Sequence, residues 1–145
     1  MWAPSVERLG VKYRCIVPDL RGMGKSPVSD QTSMGMYADD LASVLDAADQ
    51  RQPVAIVAMS MGGYVAFEFF RRHRARVKAM VLVDTQAGAD SPEVRVKRQG
   101  MIDAVAKSGS KAAADVMIEK LFAAGVSAEL KGEWLLWLDA DDVVL

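Results

Sequence analysis

The stretch Val54-Ala-Ile-Val-Ala-Met-Ser-Met-Gly-Gly-Tyr-Val-Ala-Phe-Glu-Phe-Phe70 decides how this chain is read. An apolar run with β-branched residues predicts a strand over 54–59, and the apolar periodicity after Ser60 predicts a helix reaching about residue 74. The two meet at a serine with Ala58 two positions before it, Gly62 two after it and Gly63 next. Such a corner reads as a nucleophile elbow. Strand and helix backbones pass close together there, so the flanking positions stay small, and the serine is forced to φ above zero with its hydroxyl projecting from the top of the sheet. The pattern is Gly-x-Ser-x-Gly with Ala58 in place of the first glycine. A serine that only caps a helix is the alternative, but capping alone needs no small residues on both sides.

Outward from this corner, Val77–Val83 predicts a strand after the helix, and Tyr13-Arg-Cys-Ile-Val17 lies in an earlier one at about 12–18. Between the earlier strand and Pro53, residues Tyr37, Leu41, Val44, Leu45 and Ala48 place one apolar stripe on a helix of about 36–49. Residues 5–9 read as the end of a helix closed by Gly10. Strands alternating with helices, the strands almost continuously apolar, give an α/β class: a parallel sheet of about three strands, covered on both faces. From about residue 88 the pattern changes. Segments 92–107, 110–123 and 127–138 read as helices with no strand between them, so the chain divides into a core over 1–87 and a helical cap or lid segment over 88–145.

A chain of 145 residues suffices for one compact core. Its net charge of −1 gives no electrostatic reason to expect nucleic acid or an anionic membrane as a partner. The basic run Arg71-Arg72-His73-Arg74-Ala75-Arg76 falls at the expected C-terminus of the helix after Ser60, where cations suit the dipole. The single Cys15 excludes an intrachain disulfide and suits a reducing, cytoplasmic compartment. The first residues lack the apolar core and cleavage site of a signal peptide. Residues 54–70 imitate a membrane span only at the lower limit of length, ~17 residues, and Ser60, Gly62, Gly63 and Glu68 interrupt them.

Tyr13-Arg-Cys-Ile-Val-Pro-Asp-Leu-Arg-Gly-Met-Gly-Lys-Ser26, the helix with Tyr37 and Asp40-Leu41, Ala58-Met-Ser-Met-Gly-Gly63 and Met80-Val-Leu-Val-Asp-Thr85 occur in an order and spacing that resembles the α/β-hydrolase family. More narrowly the chain is similar to bacterial esterases, enol-lactonases and cofactor-free haloperoxidases, in which Gln86-Ala-Gly-Ala-Asp90 also has a counterpart. The resemblance covers roughly residues 2–126. It implies that Ser60 is the nucleophile and that the Met61 backbone N–H is half of the oxyanion hole, with a small-molecule ester or lactone as substrate and no cofactor or metal. A helix-opening N–H suits that task, because it lacks an intrahelical acceptor and the dipole favours negative charge. An amidase of the proline-iminopeptidase type and a haloperoxidase-like perhydrolase use the same machinery and stay open as alternatives.

The resemblance also implies parts that this sequence lacks. A serine hydroxyl is a weak nucleophile until a base takes its proton, and the one histidine, His73, falls thirteen residues along the same helix, about 20 Å away. In the family the acid and the histidine follow the serine, and the second oxyanion donor follows an earlier strand that lies between those placed here at 12–18 and 54–59. The chain is therefore expected to be the middle of a larger hydrolase, with Trp134-Leu-Leu-Trp-Leu-Asp-Ala-Asp-Asp142 out of the family's pattern. A non-catalytic hydrolase-like module or binding scaffold is the competing reading. An incomplete sheet exposes unpaired edges, which predicts poor solubility or self-association.

Four other features are set aside. Gly22-Met-Gly-Lys-Ser26 resembles the end of a phosphate-binding loop, but the glycine required five before Gly24 is Asp19, and Pro27 blocks a following regular helix. Asp84 is a candidate displaced acid or a turn residue. Asp139, Asp141 and Asp142 have no histidine or cysteine beside them, so no metal is expected. Met23, Met59 and Met61 suit an adaptable acyl pocket or ordinary core packing.

Overall fold

The computed structural model describes residues 2–121. Along the chain run α1 (Ala3–Leu9), α2 (Met34–Ala47), β1 (Val54–Met59), α3 (Met61–Arg72), β2 (Val77–Val83), α4 (Pro92–Ser108) and α5 (Lys111–Leu121). These elements fall into two compact units, one reaching Ala87 and one beginning at Gly88. Among the described residues no helix is long and apolar enough to cross a membrane. The helix expected at 127–138, the unusual tryptophan-rich end and the late aspartates lie outside the described residues.

In the first unit, β1 and β2 pair in parallel, Ala55 with Ala79 through Met59 with Val83, after an irregularity between Val54 and Ala55. Parallel pairing requires a crossover, and α3 supplies it. The apolar side of α3 (Val65, Ala66 and Phe69) is fully buried with Ile56 and Ala58 of β1 and with Ala38, Leu41 and Leu45 of α2. Each fully buried Leu or Phe here contributes roughly 1.5–3 kcal/mol. Ser33 fixes where α2 starts: its hydroxyl accepts the Met36 N–H at 3.2 Å, so the helix opens at Met34, earlier than its apolar stripe alone indicates.

Among the described residues the sheet has two strands, where about three were expected. Residues 14–18 lie outside any helix or strand, and Asp19 alone takes a bridge position. A groove of about 430 Å³, lined by Tyr13, Cys15 and Ile16 on one side and Val54, Ala55 and Val57 on the other, separates this segment from β1. Across that gap no ladder forms, and strand propensity without a partner makes no strand. Arg14 nevertheless anchors the segment by donating to the Ala48 carbonyl at 2.8 Å. At the end of β2, Val81, Leu82 and Val83 are 52%, 39% and 41% exposed.

Helix α3 ends at Arg72, short of the expected residue 74, because His73 leaves helical geometry and a single 3-10 turn over Arg74–Arg76 leads into β2. The basic run is absorbed locally. Arg71 pairs with Glu68, Arg72 and His73 with Asp39, Arg76 with Asp46, and Arg74 lies 4.6 Å over the Phe70 ring.

Among the described residues the second unit consists of α4 and α5. Ser91 caps α4 by accepting the Val94 N–H, Pro92 occupies the first helical position where no N–H is needed, and Gly109 at φ 77° ends it.

Candidate active site

Ser60 follows the last residue of β1 and precedes the first of α3. Its backbone sits at φ 49° and ψ −117°, a region that favours glycine and costs a serine about 1–3 kcal/mol. Three backbone contacts hold it there. The Ser60 N–H donates to the Val83 carbonyl at 3.0 Å, extending the parallel ladder one step past Met59. The Ser60 carbonyl accepts from the Gly63 N–H at 3.0 Å and from the Thr85 hydroxyl at 2.8 Å, which occupies both of its lone pairs.

The side chain tells the corner apart from a helix cap. A capping serine has extended backbone and an oxygen bonded to the first-turn amides. Ser60 has neither, and it is exposed. Ala58 is fully buried and Gly62 is buried, on opposite sides of the corner. Met61 opens α3, so its N–H belongs to the group that lacks an intrahelical acceptor. The side chains of Met61 and Met23 pack against the core, and Met59 is half-buried. The corner stands at the carboxyl ends of parallel strands, where open α/β sheets bind ligands.

A second corner lies beside the first. Asp84, directly after β2, has φ 45°, and the turn carries Thr85 back onto Ser60. Aspartate tolerates this conformation better than most side chains, which accounts for its place at the turn. Glycine at 63 is required by the same contact, since a Cβ there would fall inside the Thr85 side chain. The sequence alone marks Asp84 as an acid or turn residue and gives Thr85 no role. The one signal available was the position of Asp84-Thr85 immediately beyond a strand in register with β1.

The remaining sequence candidates lie elsewhere. His73 terminates the opposite end of α3 from Ser60, its Nε2 2.9 Å from Asp39 Oδ1. Hydrogen bonds from Arg72 and then His73 hold the Asp39 carboxyl down at about 2. In the glycine loop, Asp19 takes the place a phosphate would need: its carboxylate accepts the Lys25 N–H at 2.8 Å, and its carbonyl accepts the Ser26 hydroxyl at 2.8 Å. Gly22 and Gly24 both have positive φ, and a Cβ at 24 would collide with that carboxylate. Arg21 ties the loop to α2 through a two-pronged pair with Asp40, at 2.8 and 2.6 Å.

The sequence pattern of the family described as the alpha/beta hydrolase fold matches residues 1–129. The chain belongs to the α/β-hydrolase family. A solved thermophilic esterase from Thermogutta terrifontis, described as malate bound, is 39% identical to this α/β-hydrolase chain with a TM-score of 0.77, covering 81% of this chain and 44% of that one. A 3-oxoadipate enol-lactonase from Acinetobacter baylyi is 27% identical over 77% of this chain and 44% of its own length. A cis-3-alkyl-4-alkyloxetan-2-one decarboxylase from Xanthomonas campestris is 31% identical over 64% of this chain and 34% of its own length. The α/β-hydrolase chain therefore spans less than half the length of these relatives.

Proposed function

We propose that this α/β-hydrolase chain carries the nucleophile of a serine hydrolase that cleaves a carboxylic ester or lactone. The observation that carries the reading is Ser60: an exposed serine in a left-handed corner at the strand ends, with no capping duty. The Ser60 oxygen adds to the substrate carbonyl carbon, the Met61 N–H holds the resulting oxyanion, and collapse breaks the C–O bond to the leaving alcohol. Water then releases the acid from the acyl-serine. A base must take the serine proton and return it to the leaving alcohol. His73, at the far end of α3, is not that base, so the base, its acid partner and the second oxyanion donor come from outside residues 1–145. The reaction needs no metal or organic cofactor, and we place it in the cytoplasm.

In this reading the segment from 88 onward belongs to the helical cap of the parent hydrolase. Exposed Val81, Leu82 and Val83 and the groove beside β1 support self-association of the isolated chain, read as a concentration-dependent mass in sedimentation.

A fluorophosphonate probe with Ser60→Ala as control tests the central reading. Labelling at Ser60, accelerated when the chain is extended to its full coding frame, is expected. An extended chain that stays unlabelled overturns it. The engagement of His73 by Asp39 favours a second reading, in which the 145 residues alone are a non-catalytic module. Hydrolysis of a short nitrophenyl ester by the isolated chain eliminates that second reading.

A further inference from the structure

We propose that Thr85 is the positioning residue of the Ser60 corner, aiming the Met61 N–H through the carbonyl of Ser60. Its catalytic consequence rests on Ser60 being the nucleophile; its structural content does not. The Ser60 carbonyl and the Met61 N–H belong to one peptide unit, which is planar and trans, so the two groups point in opposite directions. Whatever fixes the carbonyl therefore fixes where the N–H aims. The ladder bond from Ser60 N–H to Val83 leaves that peptide plane free to rotate about ψ of residue 60. The Gly63 N–H bond to the Ser60 carbonyl is one that any helix start can offer. Among the described residues only the Thr85 hydroxyl, 2.8 Å from the Ser60 carbonyl oxygen, approaches from outside the helix.

Thr85 is itself immobilised. A residue-63 Cβ would collide with its Oγ1 first and with its Cβ and Cγ2 at 2.6 Å, so the Thr85 side chain fills the space above Gly63. A β-branched side chain has few χ1 choices, and this contact leaves the hydroxyl directed at Ser60. Asp84 at φ 45° delivers it to that place. Two left-handed non-glycine corners at adjacent strand ends thus form one brace, with Ser60 bonded through its N–H to Val83 and through its carbonyl to Thr85.

The test compares Thr85→Val, which keeps the shape and removes the hydroxyl, with Thr85→Ser, which keeps the hydroxyl, in the 145-residue chain. Two readouts are taken: the fluorophosphonate labelling rate at Ser60, and the resonance position and hydrogen exchange of the Met61 amide. The Val variant is expected to label at least ~10-fold more slowly, as an oxyanion donor lost from alignment requires, with a displaced and faster-exchanging Met61 amide. The Ser variant is expected to recover most of both. Equal labelling rates in the parent and Val chains, or an unmoved Met61 amide, overturn the proposal. If the 145-residue parent does not label, the labelling rates are compared in the chain extended to its full coding frame, where failure to label overturns the nucleophile reading and a Met61 amide moved by the Val variant alone upholds the Thr85 brace. If the Val variant does not fold, the same comparisons are read on Thr85→Ala.

Discussion

The two ends of α3 solve opposite problems. At the C-terminal end Arg71, Arg72, His73 and Arg76 each meet a carboxylate and Arg74 meets an aromatic ring, so charge that suits the helix dipole is matched by ordinary surface pairing. At the N-terminal end, a serine sits in a conformation it disfavours, and its hydroxyl does nothing for the helix. The first end is arranged for stability, and the second holds strain that the neighbouring strand end sustains. Strain retained where a cheaper residue would do is what motivates the proposal that Ser60 is the nucleophile.

The comparison breaks most completely if what joins the two ends is removed. Phe69 is fully buried, and its ring centroid lies 5.1 Å from that of His73. Phe69→Ala is expected to cost about 3–5 kcal/mol, visible in urea unfolding, and to degrade Ser60 labelling and the His73–Asp39 contact together. Gly63→Ala should discriminate between the ends. It forces a methyl against Thr85, costing about 1–3 kcal/mol, and should abolish labelling while the chemical shifts of His73 stay unchanged. Ser60→Gly sharpens the contrast further. Relief of the left-handed strain, less the entropy glycine loses on folding, should stabilise the unit by about 1 kcal/mol. A Tm rise of roughly 4–8 °C follows for a unit of this size, with labelling gone. A fall in Tm would show that residue 60 carries no strain.

The bounds of β1 and β2 were legible because Val-, Ile- and Leu-rich runs end there at Pro53, Ser60 and Asp84. Ser60 was legible for a similar reason, since the small residues on both sides are a local consequence of close backbone approach. What escaped reading depends on distant partners. Residues 12–18 have strand composition, but whether a strand forms is decided by a neighbour, and a groove lies where one would pair. His73 leaves α3 to meet Asp39, 34 positions earlier. Thr85 reaches Ser60 across 25 positions, and only through the positive φ of Asp84. Local periodicity carries none of these three contacts.

The smallest effect belongs to the C-terminal end and has a definite sign. Asp39 titrates at about 2 in the folded chain against an ordinary 3.8, mainly through the Arg72 and His73 hydrogen bonds. Glu68 is also lowered, by Arg71, and lies 3.9 Å from Arg72. Between those two pH values the unfolded chain binds more protons at Asp39 than the folded one, so the contribution is present above about 3.8 and is lost as pH falls toward about 2. Because the Asp39 side chain is 48% exposed, solvent and salt screen the pairing and the effect is modest. Asp39→Asn should flatten the acid limb of a Tm-against-pH profile between those values and leave the Ser60 labelling rate at neutral pH as it was. An Asn variant with an unaltered acid limb would mean that the carboxylate of Glu68, rather than that of Asp39, anchors this end of the helix.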